Sequence, residues 1–182
     1  MPRPQEPRAF GGATHGLVYP VPMSWPEPVE RVAAFLRASG AEARLEQLDA
    51  GSPTAAAAAD AIGCALDQIV KSLVFVCDDS FVMALVPGNR RADSSKVAAG
   101  VAAAEARVAR RDEVFSATGF APGAVAPFPL SPEIPILVDR LLLSRSVVWV
   151  GAGSDRHMAM LAPLELVRLT RGVPVDLVLE AA

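Results

Sequence analysis

The sequence predicts an α+β domain built on a mixed or mostly antiparallel sheet. Segments that read as strands outnumber those that read as helices. They often follow one another directly, unlike the regular strand–helix–strand alternation of a parallel α/β sheet. The chain has 182 residues, 52% of them hydrophobic, which suits one domain with a core that needs neither disulfide nor metal. No internal repeat is found.

The elements follow in order. Residues 1–24 read as a flexible tail, with prolines at 2, 4, 7, 20 and 22, Gly11-Gly12 and no periodic pattern. The domain then spans 25–182. A first helix is expected from Pro26 to Ser39. Ser24 and Glu27 have capping-box spacing, Val29, Val32, Ala33 and Leu36 make an apolar stripe, and Gly40 is a stop. Residues 42–48 alternate as a half-buried strand. Ser52-Pro53 reads as cap and first position of a helix over Ala55–Ile62 that Gly63 ends. Residues 69–76 and 81–86 are apolar strands joined by a turn at Asp78-Asp79. A short helix over 94–99 takes Asp93 as its cap. A strand at 106–109 and a helix at 113–118 follow. Residues 119–135, with five prolines and two glycines, are the least regular stretch. Strands at 136–139, 146–150 and about 157–161, a helix at 163–170 and a strand at 173–179 complete the domain.

Composition narrows the function. Net charge is −3, which argues against a protein that grips long nucleic acid by phosphate neutralisation alone. It leaves room for one that holds only an RNA end. Basic spots occur at Arg90-Arg91, at Arg107 with Arg110-Arg111, and at Arg140 with Arg145, each also readable as solvated surface. Cys64 and Cys77 lack metal-type spacing and read as small core residues. His15 and His157 offer no ligand pair, so no metal is expected. No apolar run reaches membrane-spanning length and no signal peptide opens the chain, so a cytoplasmic, reduced protein is expected.

Four features can carry chemistry. Only two lysines occur, Lys71 and Lys96, and Lys71 interrupts an otherwise apolar strand. A charged amine there must reach water or an anion, by snorkelling from a sheet edge or by holding a phosphate or carboxylate in a cleft. The loop from Thr118 to Phe128 has glycines that admit close approach of main-chain N–H groups and prolines that stiffen it. It reads as a main-chain carbonyl holder or as a rigid connection. Asp139 ends the strand ILVD and reads equally as a cap, an ion-pair partner or a site residue. Gly151-Ala152-Gly153 follows SVVWV and reads better as a turn than as a phosphate loop.

The order of these segments is more specific than any one of them. SPTAAAAADAIG precedes QIVKSLVFV; VMALVPG, TGFAPGAVAPF, ILVD and VWVGAG follow. This order, over about residues 28–180, resembles the YbaK / aminoacyl-tRNA-synthetase-associated domain family. That family includes the editing insertion of bacterial prolyl-tRNA synthetase and its free-standing relatives. The lysine on its apolar strand and Gly123-Ala124-Val125-Ala126-Pro127, which fits the family's G-x-x-x-P motif, carry most of the likeness.

The resemblance implies a single α+β domain with a twisted, barrel-like mixed sheet flanked by helices. It implies hydrolysis of the ester joining a wrong amino acid to the 3′-terminal ribose of a tRNA. No protein nucleophile, metal or cofactor is implied. The implied partners are the tRNA 3′ acceptor end and, as a further candidate, an aminoacyl-tRNA synthetase. Lys71, Gly123 and Asp139 would be catalytic. Thr54, Ala124, Val125, Ala126, Pro127 and Gly151 would bind substrate. In that picture the 123–127 amides hold the acyl group, Lys71 meets the terminal phosphate or ribose, and Asp139 orients the substrate amine or a water. The substrate's neighbouring ribose hydroxyl would help to activate the water. One departure stands out: some relatives have an aromatic residue or tyrosine near the first pocket helix, where this chain reads Gly51-Ser52-Pro53-Thr54, and its one tyrosine, Tyr19, lies in the tail. A non-catalytic binding module of the same fold, or a hydrolase of small aminoacyl esters, are the competing readings.

Overall fold

A computed structural model describes residues 24–180, so the expected tail falls outside it except for Ser24. Helix α1, Glu27–Ala38, forms on the apolar stripe anticipated for it, and Val29, Val32, Ala33 and Leu36 are fully buried. The expected capping box does not form. The cap is Pro26, whose carbonyl accepts from the N–H groups of Val29 (2.9 Å) and Glu30 (3.0 Å), which leaves Ser24 too far upstream.

Strand β1 (Ala43–Gln47) leads to helix α2 (Ala55–Ile62). The cap of α2 is Thr54, whose hydroxyl accepts from Ala57 N–H at 3.1 Å, rather than Ser52. Ser52 is held elsewhere: its N–H and hydroxyl both donate to the Asp155 carbonyl, at 2.8 and 3.0 Å. A short 3-10 helix at Leu66–Gln68 precedes β2 (Val70–Cys77) and β3 (Ser80–Pro87), which form the expected hairpin. Helix α3 (Ser94–Gly100) starts at Asp93, whose carboxylate accepts from Ser95 N–H at 2.8 Å as its sequence predicts. Strand β4 (Ala106–Val108), helix α4 (Arg111–Thr118), strands β5 (Ile136–Asp139), β6 (Val148–Gly151) and β7 (His157–Leu161), helix α5 (Pro163–Thr170) and strand β8 (Val173–Val175) complete the order.

The strands form two sheets, not one closed barrel. The smaller has the order β1-β7-β6 and is antiparallel throughout. The larger has the order β4-β2-β3-β5-β8; β2 pairs antiparallel with β3 and β4, whereas β3-β5 and β5-β8 are parallel. A parallel bridge between Ile69 and Trp149 joins the sheets where β2 begins.

The core has three parts. Val70, Val74, Met83, Leu85 and Val138 of the large sheet pack with Val148, Val150, Ala159 and Leu161 of the small one, under Val32, Leu36 and Leu166 from α1 and α5. The opposite face of the large sheet, with Phe75, Val82, Ala84, Val86 and Leu137, is covered by Val97 and Leu177. Burial on both faces explains why β2 and β3 read as continuous apolar runs. Ala58 and Ala59 of α2 pack on Ile69, Trp149 and Met158 at the joint between the sheets. This packing places α2 against the start of β2.

The last strand is shorter than expected. After Val175 the chain leaves the sheet, because Leu177 N–H donates to the Asp139 carboxylate at 2.8 Å and Leu177 C=O accepts from Asp93 N–H at 2.7 Å.

Candidate functional site

Strand β4 pairs with β2 only over Phe75–Cys77, and Ala109 N–H reaches Val74 C=O at 2.9 Å. Among the described residues, Lys71, Ser72 and Leu73 therefore have no strand on that edge. A cavity of about 390 Å³ opens there. Its walls are Ser52–Ala55 and Ala58 from the start of α2, Ile69–Leu73 from β2, Gly123 and Val125 from the proline-rich loop, Gly151 from β6 and Met158 from β7. Segments far apart in sequence meet there because the cavity lies at the seam of the two sheets.

Lys71 is the one charged residue among the described lining residues. It is half-buried, and its ammonium donates to the Arg90 carbonyl. Burial, and secondarily the nearby Arg91, hold its pKa below the ordinary lysine value of 10.5. The amine is thus anchored to the turn after β3 with no acidic side chain bonded to it among the described residues.

The loop contributes backbone. Gly123 is exposed and has φ of +87°, a conformation that disfavours side chains, while the space where a β-carbon would sit is open. Ala124 N–H closes a turn onto Ala121 C=O at 2.9 Å, so that donor is already engaged. Among the described residues, the N–H groups of Gly123 and Val125 have no acceptor within the chain. The loop is braced from α1. The Arg31 guanidinium lies 4.4 Å from the centre of the Phe120 ring and donates to Gly119 C=O at 3.3 Å. Val125 C=O lies against Gly151, where a β-carbon would stand 2.6 Å from the oxygen.

Five of the nine candidate residues therefore meet in one place: Lys71, Gly123, Thr54, Val125 and Gly151. The other four do not line it. Ala124 and Ala126 are buried, the latter in the main core. Pro127 lines a separate cavity of about 520 Å³ between α1, α5 and the proline-rich segment. The chain passes from one cavity to the other within the G-x-x-x-P span, so its two ends face different ways. Asp139 is 1% exposed, and its two carboxylate oxygens accept from Leu141 N–H (2.9 Å) and Leu177 N–H (2.8 Å). It caps the short 3-10 helix at Arg140–Ser144 and ties down the C-terminal segment.

Ser72 and Met158 are lining residues that sequence reading passed over. The Ser72 hydroxyl oxygen is buried with no hydrogen-bond partner among the described residues. A buried polar group in a folded protein is usually hydrogen-bonded, so this hydroxyl is available to a further group at the cavity wall. A lone serine in an apolar strand was the available signal. Gly151 ends its strand in a turn, as the sequence predicts, with Ala152 N–H donating to His157 C=O at 3.0 Å. Both cysteines are free thiols, and burial pushes each of them up in pKa. Among the described residues no group of three or more His, Cys, Asp and Glu side chains is placed to hold a metal, and no helix is long and apolar enough to cross a membrane.

Comparison with known proteins places this arrangement among relatives. A family model described as the aminoacyl-tRNA editing domain matches residues 49–169. The proline–tRNA ligase of Staphylococcus aureus (strain Newman) is 30% identical over 104 residues, which is 57% of this chain but 18% of the ligase. The matched region is thus less than a fifth of that curated relative. A crystal structure of a candidate trans-editing enzyme for prolyl tRNA synthetase superposes with a TM-score of 0.80 at 35% identity, covering 86% of this chain and 100% of the other. The crystal structure of hypothetical protein APE2540 superposes with a TM-score of 0.76 at 32% identity, covering 81% and 98%.

Proposed function

The chain belongs to the aminoacyl-tRNA editing domain family, and from that premise we propose that it hydrolyses the ester between a mischarged amino acid and the 3′-terminal ribose of a tRNA. The observation that carries the reading is the cavity at the sheet seam. Its lining residues bring together the half-buried Lys71, the N–H groups of Gly123 and Val125 and the Ser72 hydroxyl, the last three without a partner among the described residues.

Those groups suit an ester that is already activated. Gly123 N–H and Val125 N–H would hold the acyl carbonyl and stabilise its developing negative charge. Main-chain donors fixed by a braced, proline-stiffened loop cost little reorganisation as the charge appears. The Lys71 ammonium would bind the terminal phosphate, since its anchored position and lack of an acidic partner leave its charge available. The Ser72 hydroxyl would bind the substrate amine or the attacking water.

No carboxylate, imidazole or thiol stands among the described lining residues. The reading therefore assigns water activation to the neighbouring ribose hydroxyl of the substrate itself, with positioning as the protein's contribution. The apolar walls from Ala55, Ala58, Ile69, Leu73 and Met158 would receive the amino-acid side chain. Cleavage adds water across the ester, releasing the free amino acid and the 3′ hydroxyl of the tRNA.

The test is a deacylation screen of the purified protein against tRNAs charged with cognate and non-cognate amino acids. The expected result is rapid release from one or a few mischarged species, with correctly charged species spared. Uniform inactivity across the panel, with the fold intact, would overturn the proposal in favour of a binding module.

A further inference from the structure

The three basic spots of the sequence differ once folded. Arg107 and Arg110 are neutralised by Glu113, at 2.8 and 3.0 Å, and Arg110 also faces Asp112 at 3.6 Å. Lys96 is paired with Asp176 at 2.7 Å. Arg90, Arg91 and Arg140, by contrast, have no ion pair among the described residues. Arg91 and Arg140 are exposed and Arg90 is half-buried.

These unpaired arginines lie beside the cavity. The turn that carries Arg90 and Arg91 follows β3, and Lys71 of the cavity wall donates to the Arg90 carbonyl. The same turn packs at Gly88 against Ala55, another wall residue, and against the Leu66 carbonyl. Away from the cavity, Arg90 shares one shallow depression with Asn89, Asp67 and Arg145, and another with Lys96, Arg140, Asp176 and Glu180, so the cations beyond Arg90 and Arg91 stand beside carboxylates. Arg145 has one acidic partner, Asp67, at 2.8 Å. Lys71, Arg90 and Arg91 are thus a group of cations beside the cavity with no ion pair among the described residues.

We propose that Arg90 and Arg91 form a short track for the backbone phosphates of the RNA strand whose 3′ end enters the cavity. The inference rests on the editing reading above and names the surface through which that substrate is held. The position of the two arginines favours RNA over an acidic protein segment. They stand on the turn that anchors Lys71 of the cavity wall, the cation to which the editing reading assigns the terminal phosphate. Crowding of Lys71 and Arg91, which helps to lower the lysine pKa, is the electrostatic situation that a bound polyanion relieves. A chain with a net charge of −3 can hold RNA in this way because unpaired positive charge is gathered beside the cavity.

The test uses the double variant Arg90→Gln/Arg91→Gln, with Arg107→Gln/Arg110→Gln as a control carrying the same change in net charge at the neutralised spot. Deacylation is measured on a mischarged RNA hairpin with an acceptor stem and on 3′-aminoacyl-adenosine, which has no phosphate, over a range of salt. Removing phosphate contacts should raise KM for the hairpin roughly tenfold and flatten its logarithmic salt dependence by roughly one per lost contact. Turnover of the aminoacyl-adenosine should be unchanged, and the control should match the parent on both substrates. If the Arg90/Arg91 variant keeps the parent KM and salt slope on the hairpin, the track is wrong while the editing reading stands. Equal weakening by both double variants would reduce the effect to net charge and likewise overturn the track. If the parent cleaves aminoacyl-adenosine but no charged RNA, the editing reading fails and the track fails with it.

Discussion

Gly151 and Val125 touch where β6 meets the proline-rich loop: a β-carbon on Gly151 would stand 2.6 Å from the Val125 carbonyl oxygen. That carbonyl is backbone, so it cannot rotate aside as a flexible side chain would. Gly151→Ala must push the loop away from the sheet and with it the Val125 N–H. The expected outcome is a stability loss of about 1–3 kcal/mol, typical of overpacking. Deacylation measured below the new Tm should fall by more than the folded fraction explains. A thermal melt and single-turnover kinetics on the same sample separate the two effects.

Lys71→Ala should leave the circular dichroism spectrum intact and lower kcat/KM on charged RNA by roughly tenfold to a hundredfold, the range of a lost hydrogen bond to a charged group. On 3′-aminoacyl-adenosine the loss should be much smaller, because there is no phosphate for the ammonium to meet. Equal activity of variant and parent on RNA would return Lys71 to a lysine that merely snorkels along the edge of β2.

Gly123 and Val125 should respond differently. Gly123 has positive φ and open space beside it, so Gly123→Asn, which tolerates that conformation, places a side chain in the cavity with little backbone strain. The N–H is retained, so the cost comes from the side chain keeping the acyl oxygen away from it; if the loop is the acyl-oxygen holder the loss should approach that of a missing donor, about 3 kcal/mol or roughly a hundredfold in rate. Val125→Ala reshapes an apolar wall and should shift the choice of amino acid by ~1–3 kcal/mol while leaving the best rate nearly intact. A ratio of rates across the mischarged panel reads this directly. A Gly123→Asn protein as fast as the parent would make the loop a structural connection.

Asp139 should behave as a stabilising residue. Its carboxylate accepts from two backbone amides, and Asp139→Asn turns an amide donor toward one of them. The expected cost is about 2 kcal/mol in chemical denaturation. The rate per folded molecule should stay within twofold of the parent, a figure that is roughly the resolution of such assays. A rate collapse without loss of stability would place Asp139 in the chemistry after all.

His157 should shape acid stability. It is 4% exposed, its Nδ1 lies 2.7 Å from the Ser154 hydroxyl, and its Nε2 is buried with no partner among the described residues. Burial first, and then Arg156, lower its pKa from the usual 6.5, with Asp155 opposing. The unfolded chain therefore binds the proton more readily than the folded one. Stability from this site is present above about pH 6.5 and falls as pH drops from there through the lower, folded pKa. In His157→Gln the stability-versus-pH curve should be flatter over that interval, measured by urea midpoints. An unchanged slope would mean that other groups dominate acid unfolding.

Much of the fold was legible because its signals are local. The apolar stripe of α1, the Asp93 cap of α3 and the Pro163–Thr170 limits of α5 each follow from a few neighbouring residues. The short 3-10 helices and the early end of β8 were not, since the second depends on Leu177 meeting Asp139 across the fold. The site divides in the same way. Lys71 stood out because a lysine in an apolar strand is costly, and Gly123 because glycine and proline shape loops. Ser72 and Met158 are ordinary residues until folding puts them on a cavity wall. Asp139 shows the converse: a carboxylate at a strand end reads alike whether it caps a turn or faces a ligand, and its two amide partners, one of them 38 residues away, become visible only in the fold.

The alternation within the proline-rich loop has a consequence for how such a protein changes over generations. Ala124 and Ala126 are locked in the interior, Gly123 is tied to its backbone shape, and Val125 alone turns its side chain toward the cavity wall. The proposed donors at 123 and 125 are main-chain atoms, which every residue but proline supplies. On the proposed editing reading, a codon change at Val125 would retune which amino acid is tolerated while the main-chain donors are inherited unaltered. Selectivity and rate would then be heritable separately, and a lineage could drift from one misacylated species to another without first losing activity.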